Sequence, residues 1–153
     1  MTGQRLLVVH HTPSIAVRQL LEAIVAGTRH PELADVEVVL EPALSATASD
    51  VLACSGILLL TPANIGFMSG ALKHFFDGIY YPCMDATRGL LFGLVVHGND
   101  DTTGAIRSVD KVTGALGWQR AAQPVSVLGR PEPRDLEAAA ELAATVAARI
   151  LPD

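Results

Sequence analysis

The chain has 153 residues, half of them hydrophobic, with a net charge of −5 at pH 7 and a mean hydropathy of +0.36. That hydrophobic fraction excludes a disordered chain, an isoelectric point of about 5.4 speaks against the basic surface of a nucleic-acid binder, and no apolar run approaches the roughly 20 residues of a membrane span. Cys54 and Cys83 form no metal or redox spacing, and Arg5 precedes only Leu6 to Val9, too short for a secretory signal core, so one cytoplasmic domain over residues 1–153 is expected, with no nucleic-acid partner and no membrane insertion.

Leu6 to His10 is a short β-prone run leading into Thr12-Pro13-Ser14. Val17, Leu20, Leu21, Ile24 and Val25 then recur at the spacings of one helix face, with Thr12 or Ser14 as the cap and Gly27 near the stop. Val36 to Glu41 predicts a strand whose interleaved Glu37 and Glu41 suit a partly exposed edge. A weak helix over Thr47 to Cys54 closes at Gly56, and Ile57 to Thr61 reads as a strand covered on both faces. Pro62 to Phe67 reads as a loop, after which Ser69 caps a helix carrying Leu72, Phe75, Phe76 and Ile79. Leu90 to His97 is another buried strand, followed by the polar loop Gly98 to Gly104. A helix over Ile106 to Leu116 turns Ile106, Val109, Val112 and Leu116 inward. Trp118 to Leu128 holds the fifth strand, where Pro124 suits an edge. Arg134 to Leu151 predicts the last helix, with Leu136, Ala140, Ala143, Ala147 and Ile150 inward.

Strands alternating with helices call for an α/β fold, a five-stranded parallel sheet covered on both faces as a three-layer sandwich. Exposed second and fifth strands match the doubly wound order 2-1-3-4-5. Ligands of such sheets bind beyond the carboxyl ends of the strands, which singles out the loops after the first, third and fourth. In the first loop, Thr12 and Ser14 bring hydroxyls to a helix start, where the amides of Ile15 and Ala16 and the helix dipole favour a phosphate. The same hydroxyls serve equally as plain caps, and Pro13 removes one amide donor. His11 is a candidate phosphate ligand, beside the alternative of a hydrogen-bonded structural histidine. The five histidines have no partner cysteines or carboxylates at ligand spacing, so no metal site is expected.

The stretch Thr61-Pro62-Ala63-Asn64-Ile65-Gly66-Phe67-Met68-Ser69-Gly70, continuing as Ala71-Leu72-Lys73-His74-Phe75-Phe76-Asp77, resembles the segment after the third strand in flavodoxin-like NAD(P)H-dependent FMN reductases and quinone reductases. In that family a Pro-containing loop ending in Gly-x-Met-Ser/Pro-Gly curls around the isoalloxazine ring, and a helix of the form Leu-Lys-x-Phe-hydrophobic-Asp follows. The resemblance implies that Pro62, Ala63, Asn64, Ile65 and Gly66 line the flavin through their backbone, with Phe67 and Met68 packed beside it. It implies that Gly98 and Asn99, next to His97 at the strand end, contact the pyrimidine end of the ring; an Asx-type turn at Asn99 and Asp100 is the plainer alternative. Lys73 and Asp77 are structural on this reading. The chain departs from the family in the first loop: flavodoxins proper show Thr/Ser-x-Thr-Gly-x-Thr, whereas here His11-Thr12-Pro13-Ser14-Ile15-Ala16 implies modest FMN affinity or help from the histidines.

The implied function is an FMN-binding oxidoreductase that passes hydride from NADPH or NADH through the flavin to a small acceptor such as a quinone or free flavin, with no catalytic side chain required. The resemblance also implies a homodimer or homotetramer. Electron-carrier flavodoxins are similar to one another in stacking a Tyr from the loop after the fourth strand on the ring. Gly98 to Gly104 contains no aromatic, which favours an open flavin face for nicotinamide or quinone. Tyr80 and Tyr81 are candidates to close the site or join two copies, beside ordinary packing. Two alternatives stay open, an electron carrier without nicotinamide turnover and a degenerate domain that binds no flavin. A response-regulator receiver is excluded, because it needs acidic residues after the first strand and an Asp ending the third, where this chain has His10-His11 and Thr61-Pro62. A nicotinamide Rossmann domain would need Gly-x-Gly-x-x-Gly after the first strand.

Overall fold

A computed structural model describes residues 3–153. In β1 (Gln4–His10) successive side chains point to opposite faces, and both faces are apolar. Leu6 and Val8 enter one core while Leu7 and Val9 enter the other. β3 (Gly56–Asn64) repeats this division, with Leu58 and Leu60 on the first side and Ile57 and Leu59 on the second. These strands sit in the middle of the sheet, so neither face meets water and no polar alternation is required.

Across the sheet the order runs β2 (Val36–Pro42), β1, β3, β5 (Leu91–Gly98), and then β6 (Gln119–Arg120) and β7 (Val125–Leu128), two short pieces both paired to β5. Every one of these pairings is parallel. Helices α1 (Ile15–Gly27) and α5 (Pro133–Ile150) cover one face, while α2 (Ala48–Ala53), α3 (Gly70–Cys83) and α4 (Thr103–Leu116) cover the other. The three-layer sandwich in doubly wound order expected from the sequence is therefore what forms. No described helix is long and apolar enough to cross a membrane.

On the α3–α4 side, Phe75, Phe76, Phe92 and Trp118 form an aromatic cluster with ring centroids 5.3 to 6.3 Å apart. Burying such a side chain contributes about 1.5–3 kcal/mol. The indole N–H of Trp118 donates to Thr87 Oγ1 at 2.8 Å, and that hydroxyl donates to the Cys83 carbonyl at 2.7 Å. Trp118 thus enters the core without leaving its donor unpaired. On the opposite side α1 crosses α5 so closely that a methyl group at Gly27 would overlap the Ala140 carbonyl.

The structure corrects the sequence expectation at four places. Pro62 to Phe67 is not a loop: β3 runs on through Asn64 and turns back antiparallel into β4 (Phe67–Met68). Ile65 and Gly66 make the two-residue turn with φ of 49° and 71°, the left-handed pair that a type I′ hairpin requires. The fifth strand is broken between Arg120 and Val125, where Pro124 offers no ladder donor. In α5 the buried face is Ala139, Leu142, Ala143, Val146 and Ala147, with Leu136 and Ile150 at its margin, a rotation away from the expected Ala140. In α4 the inward face includes Ser108 and Thr113, whose hydroxyls donate to the Ala105 and Val109 carbonyls at 2.8 and 2.9 Å and so need no water.

Candidate functional site

The first loop is built by the cap of α1. Ser14 is the N-cap, in an extended conformation, and its Oγ accepts from the Val17 amide at 3.2 Å. Thr12 does not cap: its hydroxyl lies 2.8 Å from His10 Nδ1. Burial lowers the His10 pKa, and the neighbouring His11 lowers it further. The His11 amide donates to the Leu60 carbonyl at 3.0 Å. The amides of Thr12, Ser14, Ile15 and Ala16 find no acceptor among the described residues, so four donors gather at the positive end of a 13-residue helix.

The hairpin after β3 is anchored on both sides. Buried Thr61 Oγ1 accepts from the Ser69 amide at 3.1 Å, and Ser69 Oγ caps α3 through the Leu72 amide at 3.2 Å. The Met68 amide donates to Ser108 Oγ of α4 at 3.0 Å. Pro62 is buried and pairs in register with His97 of β5. Ala63 is half-buried, while Asn64, Ile65, Gly66 and Phe67 are exposed. The amides of Ile65 and Gly66 find no acceptor among the described residues.

The loop after β5 is pinned by Asp101, not by the expected Asn99 and Asp100 turn. Asp101 Oδ1 accepts from the Thr103 amide at 3.0 Å and from its hydroxyl at 2.7 Å, which holds this carboxyl below the usual carboxylate range. Thr102 Oγ1 meets Ser126 Oγ of β7 at 2.5 Å. Gly98 lies against this turn: a Cβ there would come within 3.0 Å of the Asp101 carbonyl. The Asn99 and Asp100 amides find no acceptor among the described residues.

At this edge lies an open cavity of about 510 Å³ lined by Ser14, Ile15, Ala16, Gln19, His97 and Asn99 and by the loop Gly129-Arg130-Pro131. Its size falls within the roughly 300–1,000 Å³ of small-molecule sites. The structure thus brings Ser14, Ile15, Ala16, His97 and Asn99 together around one volume. His11, Thr12, Gly98 and Pro62 to Phe67 do not line it. Phe67 itself lies over a second depression between α3 and α4, with Lys73, Tyr80 and Lys111. Tyr80 and Tyr81 lie ten and more residues along α3 from its first turn, about 15 Å down the axis, so they do not close this edge. Gln19, Gly129, Arg130 and Pro131 are the cavity residues that the sequence did not single out; a Gly-x-Pro turn carries no signal beyond the turn itself.

The edge is rich in donors. Free amides from three loops, a helix start and the Arg130 guanidinium suit an anionic, acceptor-rich ligand. Nothing there resembles an activated nucleophile: Cys54 follows α2 and Cys83 ends α3, both at the opposite edge of the sheet, and burial pushes both thiols up, Cys54 to about 12.

No protein-family model matches the chain, and no curated protein matches it in sequence. Solved structures do match. A flavodoxin from the domain Archaea superposes with a TM-score of 0.81 at 17% identity, covering 96% of this chain and 99% of that one. A flavodoxin, WrbA-like protein from Agrobacterium tumefaciens gives 0.75 at 17% identity, with 97% of each chain covered. A flavodoxin from Streptococcus pneumoniae TIGR4 gives 0.78 at 19% identity, covering 95% and 99%. At such identities the likeness establishes the flavodoxin-like fold.

Proposed function

We propose that the chain holds FMN at the carboxyl edge of its sheet and works as an NAD(P)H-dependent oxidoreductase toward a small acceptor such as a quinone or free flavin. The observation that carries this reading is the set of amides on three adjoining loops that find no acceptor among the described residues, at Thr12, Ser14, Ile15 and Ala16, at Ile65 and Gly66, and at Asn99 and Asp100. They fit the group, since FMN combines a phosphate with a ring whose edge accepts hydrogen bonds. FMN, when bound, supplies the redox chemistry by taking hydride from a nicotinamide.

The residues of this chain bind and orient. The start of α1 offers amides and a partial positive charge to the phosphate, with the Ser14 cap keeping that turn in place. The hairpin amides of Ile65 and Gly66 and the amides of Asn99 and Asp100 serve as donors to the ring edge, where negative charge gathers on reduction. The loop over residues 98–104 has no aromatic to lie across the ring, which leaves room for a second stacked molecule.

A second reading is favoured by one observation, the match to flavodoxins over nearly the full length of both chains. It makes the protein an electron carrier that does not turn over nicotinamide. Desalted, FMN-loaded protein mixed anaerobically with NADPH or NADH separates the two. Rapid bleaching of retained flavin is expected for the reductase. Retained flavin that neither nucleotide reduces would favour the carrier, and failure to retain or bind FMN would overturn both.

A further inference from the structure

The β7–α5 loop walls the same cavity as the first turn of α1. Gly129 takes a left-handed φ of 72°, open to glycine at little cost, and its amide donates to the Gly98 carbonyl at 2.8 Å. Its own carbonyl meets His97 Nε2 at 2.8 Å. A carbonyl only accepts, so Nε2 carries the proton of the neutral ring and Nδ1 is left with its lone pair. His97 is only 9% exposed, and Nδ1 has no partner among the described residues. No fully buried side-chain nitrogen or oxygen among them lacks a partner. Nδ1 therefore opens onto accessible space, in the cavity that His97 lines.

Arg130 lines the same cavity and forms no ion pair with a described residue. The cavity thus joins two recognition chemistries. One is a guanidinium beside helix-start amides, which suits a phosphate and its two negative charges. The other is a nearly buried imidazole acceptor, which suits an alcohol donor. Free phosphate would use only the first, and an uncharged polyol only the second.

Resting on the FMN reading above, we propose that Arg130 is the residue by which this cavity selects a phosphate monoester of a hydroxylated chain over its unphosphorylated counterpart, while His97 Nδ1 accepts from a hydroxyl of that chain. Arg130 is exposed and its guanidinium pairs with no described residue, so its loss leaves the fold intact.

The test is equilibrium titration of FMN and of riboflavin against the wild-type chain, Arg130→Gln, Arg130→Lys and His97→Gln, with melting curves as the check on folding. Arg130→Gln is expected to weaken FMN binding about tenfold or more, the range of a charged hydrogen bond, and to leave riboflavin within about twofold. Arg130→Lys should recover part of the loss. His97→Gln should weaken both flavins by one common factor, because both carry the hydroxyls. Equal FMN affinity in wild type and Arg130→Gln, or an equal loss for both flavins in that variant, overturns the role of Arg130 and leaves FMN binding standing. A loss confined to one flavin in His97→Gln overturns the role of His97. Failure of wild type to bind either flavin overturns the FMN reading and this proposal with it.

Discussion

Gly104, in the first turn of α4, lies directly against the carbonyl oxygen of Gly66 at the tip of the hairpin, and a methyl group on Gly104 would overlap that oxygen. The loops after β3 and β5 are therefore one continuous wall. Gly104→Ala must lift the hairpin or distort the helix start. It is expected to cost about 1–3 kcal/mol, the usual penalty of inserting a methyl into a filled contact, and to weaken FMN binding as the hairpin amides move. Denaturant unfolding and flavin titration read both effects; an unchanged midpoint would show that the tip swings away freely.

Ser14→Asp separates capping from anion binding. Aspartate caps a helix as well as serine does, so the melting temperature should hold within a few degrees. A carboxylate placed at the helix start repels a phosphate, and FMN affinity should fall by about tenfold or more at low salt. Equal affinity in the variant would remove the first loop from the binding site.

His10 gives stability a dependence on acid. Its folded pKa lies below the ordinary 6.5, because burial and the adjacent His11 disfavour the charged ring. The unfolded chain therefore takes up a proton before the folded one does. The contribution is fully present above about pH 6.5 and is lost as pH falls below it. His10→Gln should flatten that part of the stability curve, measured by urea unfolding at successive pH values. A slope identical to wild type would exclude His10 as its source.

Cys54 gives a dependence at the other end. Burial raises its thiol from 9.0 to about 12, so the unfolded chain loses this proton first as pH rises. Stability from the neutral thiol is present below about pH 9 and declines between there and 12. Cys54→Ala should lose that decline. Alkylation at pH 8 should be slow for both cysteines in the folded chain and rapid in denaturant, followed by mass; fast labelling of the folded protein would contradict the burial.

The layers, the strand order and the edge character of β2 were legible because period-2 and period-3.6 apolar patterns report which faces are covered. The hairpin was not. Ile65 holds a positive φ that a β-branched residue seldom adopts, a strain of about 1–3 kcal/mol, so Asn64-Ile65-Gly66-Phe67 carries no ordinary turn signal. The face of α5 is not legible for the opposite reason: where most of a helix is alanine, neighbouring stripes differ little in hydrophobicity, and the covered one is that of Leu142 and Val146. Arg130 carries no local signal, because only the fold brings its loop beside the start of α1. The cap of α1 was legible as Thr12 or Ser14, before an apolar helix, and the structure selects Ser14.

The anchoring of Trp118 has an optical consequence. It is the only tryptophan of the chain, and it precedes the strand whose Gln119 pairs with Leu91 at the start of β5. His97 lies six residues farther along that strand, about 20 Å away at the rise of an extended chain. A flavin beside His97 would touch no part of the indole and would dim its emission only by energy transfer through space. Fading at constant wavelength would then report occupancy, and a shift to the red would report water reaching the core, so one fluorophore reads out binding and unfolding separately.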